Sequence, residues 1–127
     1  MRILLIEDDP FFQKFYTFKL RESGFEIDVA SDGVLGMDLV KKQRPDLILL
    51  DLIMPNKDGF GVLQDLGADA DLKNIPVLVF STLSQEADVT KAKQLGAVDY
   101  VNKSFFDFDK LLQKIRGILA SRQPTTS

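Results

Sequence analysis

The sequence predicts an α/β domain, a doubly wound five-stranded parallel sheet covered by five helices. Two observations carry that expectation. Short apolar runs alternate with longer amphipathic stretches along 127 residues, as repeated β-α units require. Two of the runs, Ile3-Leu4-Leu5-Ile6 and Leu47-Ile48-Leu49-Leu50, are apolar at every position, the pattern of strands buried on both faces.

The first strand covers about Arg2–Ile6. Asp9 then caps a helix with Pro10 at its first position, and Gly24 ends it. A second strand covers about 26–29, and a second helix, about 33–43, stops before Pro45. Strand three is Leu47–Leu50. A turn at Asp58-Gly59, with Gly59 at positive φ, leads to a short helix over about 60–66 and the polar stretch 67–74. Strand four, about 77–80, follows Pro76. Ser84 caps a fourth helix that runs to Leu95 and stops at Gly96. Strand five covers about Asp99–Asn102. The fifth helix carries Phe108, Leu111, Leu112, Ile115 and Leu119 as one stripe. Residues 121–127 are polar and read as a tail or the start of a linker, so one domain over 1–120 is expected.

Right-handed, short crossovers leave few ways to arrange five such units. The best fit is the flavodoxin-like order 2-1-3-4-5, with its switch point between strands one and three. That order sets Glu7, Asp8 and Asp9, which follow strand one, beside Asp51, which follows strand three. Ser81-Thr82 and Asn102-Lys103 end strands four and five on the same rim.

Composition narrows the chemistry. Hydrophobic residues make up 45% and charged residues 28%, an ordinary soluble balance, and no apolar run approaches the length of a spanning helix. Met1-Arg2 leads straight into a strand, so no secretory leader is expected and a cytoplasmic location is. The net charge of −3 argues against non-specific binding to nucleic acid or anionic membrane. There is no cysteine and no histidine. Thiolate and imidazole metal sites, Ser-His-Asp hydrolysis and imidazole acid–base catalysis are therefore excluded. Carboxylates, hydroxyls and lysines remain, a set suited to Mg²⁺ and phosphoryl groups. Asp51, Asp8 and a neighbouring acid would hold one Mg²⁺. Asp51 would also be the nucleophile toward phosphorus. Lys103, and Ser81 with a backbone N–H, would take the remaining phosphoryl oxygens.

Four separated motifs carry a resemblance over about residues 1–120. They are the Glu7-Asp8 pair, Asp51 followed by Met54-Pro55 and Asp58-Gly59, Ser81 after Pro76-Val77-Leu78-Val79-Phe80, and Lys103 after Gly96-Ala97-Val98-Asp99-Tyr100. Together they resemble the receiver domain of bacterial response regulators, the module of two-component and phosphorelay signalling. The resemblance implies that Asp51 accepts a phosphoryl group from a phosphohistidine on a sensor histidine kinase or histidine phosphotransfer protein. Mg²⁺ (or Mn²⁺) would be held by Glu7, Asp8, Asp51 and the backbone carbonyl of Ile53. Lys103 would bind the phosphate, with Ser81 and Tyr100 as switch residues. Helix four, strand five and helix five would meet an output domain or partner protein, with a phosphorylation-dependent dimer among the outcomes. The chain would be no enzyme toward other substrates, catalysing only its own phosphorylation and dephosphorylation.

This chain departs from the family pattern at Ser104, where proline usually follows the lysine. Two outcomes are expected: a retained cis bond packed by Phe105 or Phe106, at a cost of about 3 kcal/mol, or a trans loop that displaces Lys103. Ile53 and Leu83 flank the site where other members carry polar residues, which implies slower water entry and a longer-lived phosphate. Phe11, Phe12, Phe15, Tyr16 and Phe18 cannot all share one buried helical stripe. Phe11 is therefore expected to be exposed near the rim, where it would help dock the phosphodonor.

Rival functions lack residues. A haloacid-dehalogenase-type phosphatase needs an acid where Ile53 stands, and a flavodoxin-like electron carrier would not place three acids at its phosphate loop. Gly59 and Gly61 do not complete a dinucleotide fingerprint, because Gln64 takes the third position. The remaining alternative is a degenerate receiver acting as a phosphorylation-independent interaction module, with Ser104 as its support.

Overall fold

A computed structural model describes residues 1–83, 85–105 and 107–122. Strands β1 (Arg2–Ile6), β2 (Glu26–Ala30), β3 (Leu47–Leu50), β4 (Val77–Ser81) and β5 (Asp99–Asn102) alternate with helices α1 (Pro10–Glu22), α2 (Gly33–Lys42), α3 (Gly59–Ala68), α4 (Glu86–Gln94) and α5 (Phe108–Arg122). A 3-10 turn, Lys103–Phe105, precedes α5. The strands form one parallel sheet in the order β2-β1-β3-β4-β5.

The all-apolar strands are explained by cover on both faces. Ile3, Leu5, Leu47, Leu49, Leu78 and Phe80 pack with Tyr16 and Leu20 of α1 and Leu111, Ile115 and Leu119 of α5. The alternating residues Leu4, Ile6, Ile48, Leu50, Val77 and Val79 pack with Val40 of α2, Val62 of α3 and Ala92 of α4. Each such Leu or Ile contributes about 1.5–3 kcal/mol on burial. That energy locks the register, because a slip by one residue would exchange the two faces. Register Ile6↔Leu50 then sets the residues after β1 and β3 side by side.

Local signals explain most ends. Asp9 caps α1 through its side chain, with Pro10 next, and Gly24 follows the helix at φ +98°. Asp32 and Asp58 cap α2 and α3 in the same way. Three expectations need correction. Gly59 is not at positive φ; that conformation falls on Asn56, at φ 67°. Gly59 opens α3 instead, and a Cβ there would lie 2.4 Å from the Asp51 carbonyl oxygen, so close approach is what requires glycine. Helix α4 has Gln85 at its N-cap with no side-chain capping bond, while Ser84, the expected cap, lies outside the described residues. Helix α5 continues to Arg122, so Ser121 and Arg122 are helical where the start of a tail was expected. No helix among the described residues is long and apolar enough to cross a membrane.

Candidate functional site

Asp51 follows β3 directly. Its N–H donates to the Ile6 carbonyl at 3.0 Å, which continues the β1–β3 ladder by one step. Across that step stands Glu7, whose own N–H donates to Ala30 of β2 at 2.9 Å. Carboxylate oxygens of Glu7, Asp8 and Asp51 all lie within 4.8 Å of one another. Glu7 and Asp51 are buried and Asp8 is exposed. Asp9 is not part of the group. Its Oδ1 accepts from the N–H groups of Phe11 (2.8 Å) and Phe12 (3.4 Å), as a helix cap does.

Lys103 enters from the end of β5. Its ammonium donates to Glu7 Oε1 and stands 3.3 Å from Asp51 Oδ2, with only 5% of the side chain exposed. The Lys103–Ser104 bond is trans. The expectation that a trans loop displaces Lys103 is therefore overturned. The reason is local: the Ser104 N–H donates to Asn102 Oδ1 at 2.8 Å, a bond proline could not make. The Phe105 side chain and Phe106, expected to support a cis bond, lie outside the described residues.

Ser81 ends β4 fully buried, and its Oγ accepts from the Leu83 N–H at 3.3 Å. Tyr100 is half-buried in β5, and its hydroxyl donates to the Leu83 carbonyl. Burial holds that hydroxyl above its ordinary pKa. Leu83 is thus tied from one side by Ser81 and from the other by Tyr100. Ile53 is 51% exposed beside the site, and its N–H donates to Asp51 Oδ1 at 3.4 Å.

Three acids around one ammonium leave negative charge in excess. Burial pushes the Glu7 carboxyl up to about 8, the hydrogen-bonded Asp51 carboxylate adds to the shift, and Lys103 opposes it. A site that favours a proton on a buried acid is also one that a cation would relieve. The donors are hard carboxylate oxygens on adjacent strand ends, so they fit a small divalent cation such as Mg²⁺. With a lysine and a hydroxyl on the same rim, the arrangement suits the handling of a phosphoryl group.

A family profile described as the response regulator receiver domain matches residues 3–116. The chain belongs to that family. Among its relatives, the DNA-binding dual master transcriptional regulator RpaA of Synechocystis sp. is 39% identical over 93% of this chain and 48% of its own length. Against RpaA, then, this receiver spans about half a protein. Protein PilH of Pseudomonas aeruginosa is 35% identical over 94% of this chain and 98% of its own length. The receiver domain of the sensor histidine kinase PA1611 of Pseudomonas aeruginosa PAO1, solved with magnesium coordinated in its active-site cleft, superposes with a TM-score of 0.86. The two are 26% identical over 94% of this chain and 97% of that one.

The receiver's strand-end residues were all predicted, and Glu7, Asp8, Asp51 and Lys103 meet. Three contributors were missed. Asn102 holds the loop after β5, and the rings of Phe12 and Phe80 stand 4.6 and 5.5 Å from the Lys103 ammonium. The only signal for Phe12 was an aromatic-rich α1 beginning two residues after Asp8.

Proposed function

We propose that this receiver is the phosphoacceptor of a two-component or phosphorelay system, with Asp51 as the site. The observation that carries the reading is a buried carboxylate placed both 3.3 Å from a lysine ammonium and inside an acidic triad. An oxygen of Asp51 attacks phosphorus, the bond from phosphorus to the donor's imidazole nitrogen breaks, and an acyl phosphate forms on Asp51. The histidine must come from a sensor kinase or phosphotransfer protein, since the chain has none. Mg²⁺ held by Glu7, Asp8, Asp51 and the Ile53 carbonyl would neutralise phosphoryl oxygens. The Lys103 ammonium, already 3.3 Å from Asp51 Oδ2, donates to one phosphoryl oxygen, and the Ser81 hydroxyl donates to another.

The second task is readout. Ser81 drawn to the phosphoryl group gives up its bond to Leu83. Leu83 is also the partner of Tyr100, so the loop before α4 and the ring on β5 re-equilibrate together. The α4-β5-α5 face is then the surface that an output domain or partner protein reads, and dimerisation is one form that reading takes. Turnover is limited to the domain's own phosphorylation and dephosphorylation, in the cytoplasm. The phosphorylation-independent alternative rested on Ser104, and Lys103 sits in the acidic triad despite it.

Incubation with acetyl phosphate and Mg²⁺, followed by intact-mass spectrometry, tests the reading. One phosphoryl adduct is expected on the wild type, lost with chelator and in Asp51→Asn. An adduct that survives Asp51→Asn, or none on the wild type, would overturn it.

A further inference from the structure

Lys103 poses a positioning problem. Its ammonium ends a flexible four-carbon stem, it is followed by Ser104 in place of the family's proline, and the turn there is held by the Asn102–Ser104 hydrogen bond. Yet the ammonium is almost wholly buried at the junction of Glu7 and Asp51. Two aromatic faces share that pocket: Phe12 of α1, 4.6 Å from Nζ, and Phe80 of β4, 5.5 Å from it. Both rings are themselves braced. Tyr16 stacks on Phe12 at 5.8 Å and meets Phe80 edge-on at 4.9 Å. Phe80 and Tyr16 are fully buried core residues.

We infer that Phe12 is a positioning residue for Lys103, holding its ammonium by a cation–π contact, with Phe80 as the second ring. The inference rests on the receiver reading of Asp51 and adds to it. A ring face attracts the charge but takes none of its N–H donors. An ammonium has three. One donates to Glu7 and Asp51 stands 3.3 Å away as an ion partner, and because the rings take no donor, N–H capacity is left for an incoming phosphoryl oxygen. A carboxylate in place of Phe12 would compete for that capacity, and an aliphatic chain would offer no attraction. Phe12 thus supplies part of the placement that the loop after β5 does not.

Two measurements test this. The first needs no phosphoryl transfer: NMR of the Mg²⁺-free protein should show the Lys103 Hε protons shifted upfield by ring current. The shift should shrink in Phe12→Leu and persist in Phe12→Tyr. The second is the rate of phosphorylation by acetyl phosphate. Phe12→Leu should lower the rate at saturating phosphodonor roughly thirtyfold, the size of one desolvated cation–π contact, with Mg²⁺ affinity by calorimetry unchanged and Phe12→Tyr restoring the rate. In a Lys103→Met background, Phe12→Leu should have no further effect. Phe12 and Lys103 effects that simply multiply would overturn the inference, as would an absent ring-current shift. A clear shift in a wild type that accepts no phosphoryl group would instead overturn the receiver reading, leaving the ring contact standing.

Discussion

At Asp51 the balance is three acids against one ammonium, and Glu7 carries the consequence. Its carboxyl titrates near 8 in the folded chain against an ordinary 4.5. The folded state therefore holds a proton that the unfolded state releases, so the stability Glu7 contributes is full below about 4.5 and lost as pH rises through about 8. Without Mg²⁺, urea melts should give a difference in stability between wild type and Glu7→Gln that changes in favour of Glu7→Gln over that window. A pH-independent difference would contradict the assignment. Ile53 makes a separate prediction. Half-exposed beside Asp51, it keeps an apolar side chain where water must enter to hydrolyse the acyl phosphate. Ile53→Asn should speed dephosphorylation several-fold, measured by loss of the phosphorylated mass after the phosphodonor is removed; an unchanged lifetime would sink the idea. Residue positions were legible where chain order decides them. Glu7, Asp8, Asp51 and Lys103 follow strands and Ser81 closes one, and strand ends are visible as apolar runs followed by polar residues. Phe12 and Phe80 were not legible as partners of Lys103, because ring-to-ammonium contact depends on side-chain direction between distant elements.

Among the elements, α1 does two jobs with one aromatic run. Tyr16 is buried, Phe12 and Phe15 are half-buried, and Phe11 and Phe18 are 68% and 62% exposed. The inward residues join the core and reach Lys103. Phe11, the second residue of α1, lies on the exposed side, and the docking role expected of it would act there. Phe11→Ala should slow transfer from a phosphorylated histidine kinase while leaving transfer from acetyl phosphate unchanged. Equal slowing of both would show that the substitution acts through the site and not through docking. Helix and strand order were legible throughout, since the apolar runs and the Asp9, Gly24 and Gly96 signals are local. The start of α3 was not. Asp58-Gly59 has the composition of a turn, but what decides it is the Asp51 carbonyl lying where a Cβ would be. That contact exists only once β3 and α3 have packed. The Lys103–Ser104 turn was open for a similar reason, as the Asn102 side chain settles it by accepting the Ser104 N–H.

Across the whole molecule, the sheet converts sequence separation into proximity. Glu7 and Lys103 are far apart in the chain and in direct contact in the fold, because β1 and β3 to β5 end on one rim. Apolar cover on both faces packs the strands beneath that rim, and Leu83 is bonded to both Ser81 of β4 and Tyr100 of β5. Under the proposed function, a phosphoryl group on Asp51 would reach the α4-β5-α5 face without a change of fold. If Asp51 carries the signal, mapping the modification to its residue will find it there. After treatment with acetyl phosphate and Mg²⁺, borohydride reduction of an acyl phosphate converts its aspartate to homoserine, which peptide mass spectrometry locates. Homoserine at position 51 and nowhere else is the predicted result. Homoserine at Asp8 or Asp9, or phosphate found on Ser81 with Asp51 intact, would contradict it.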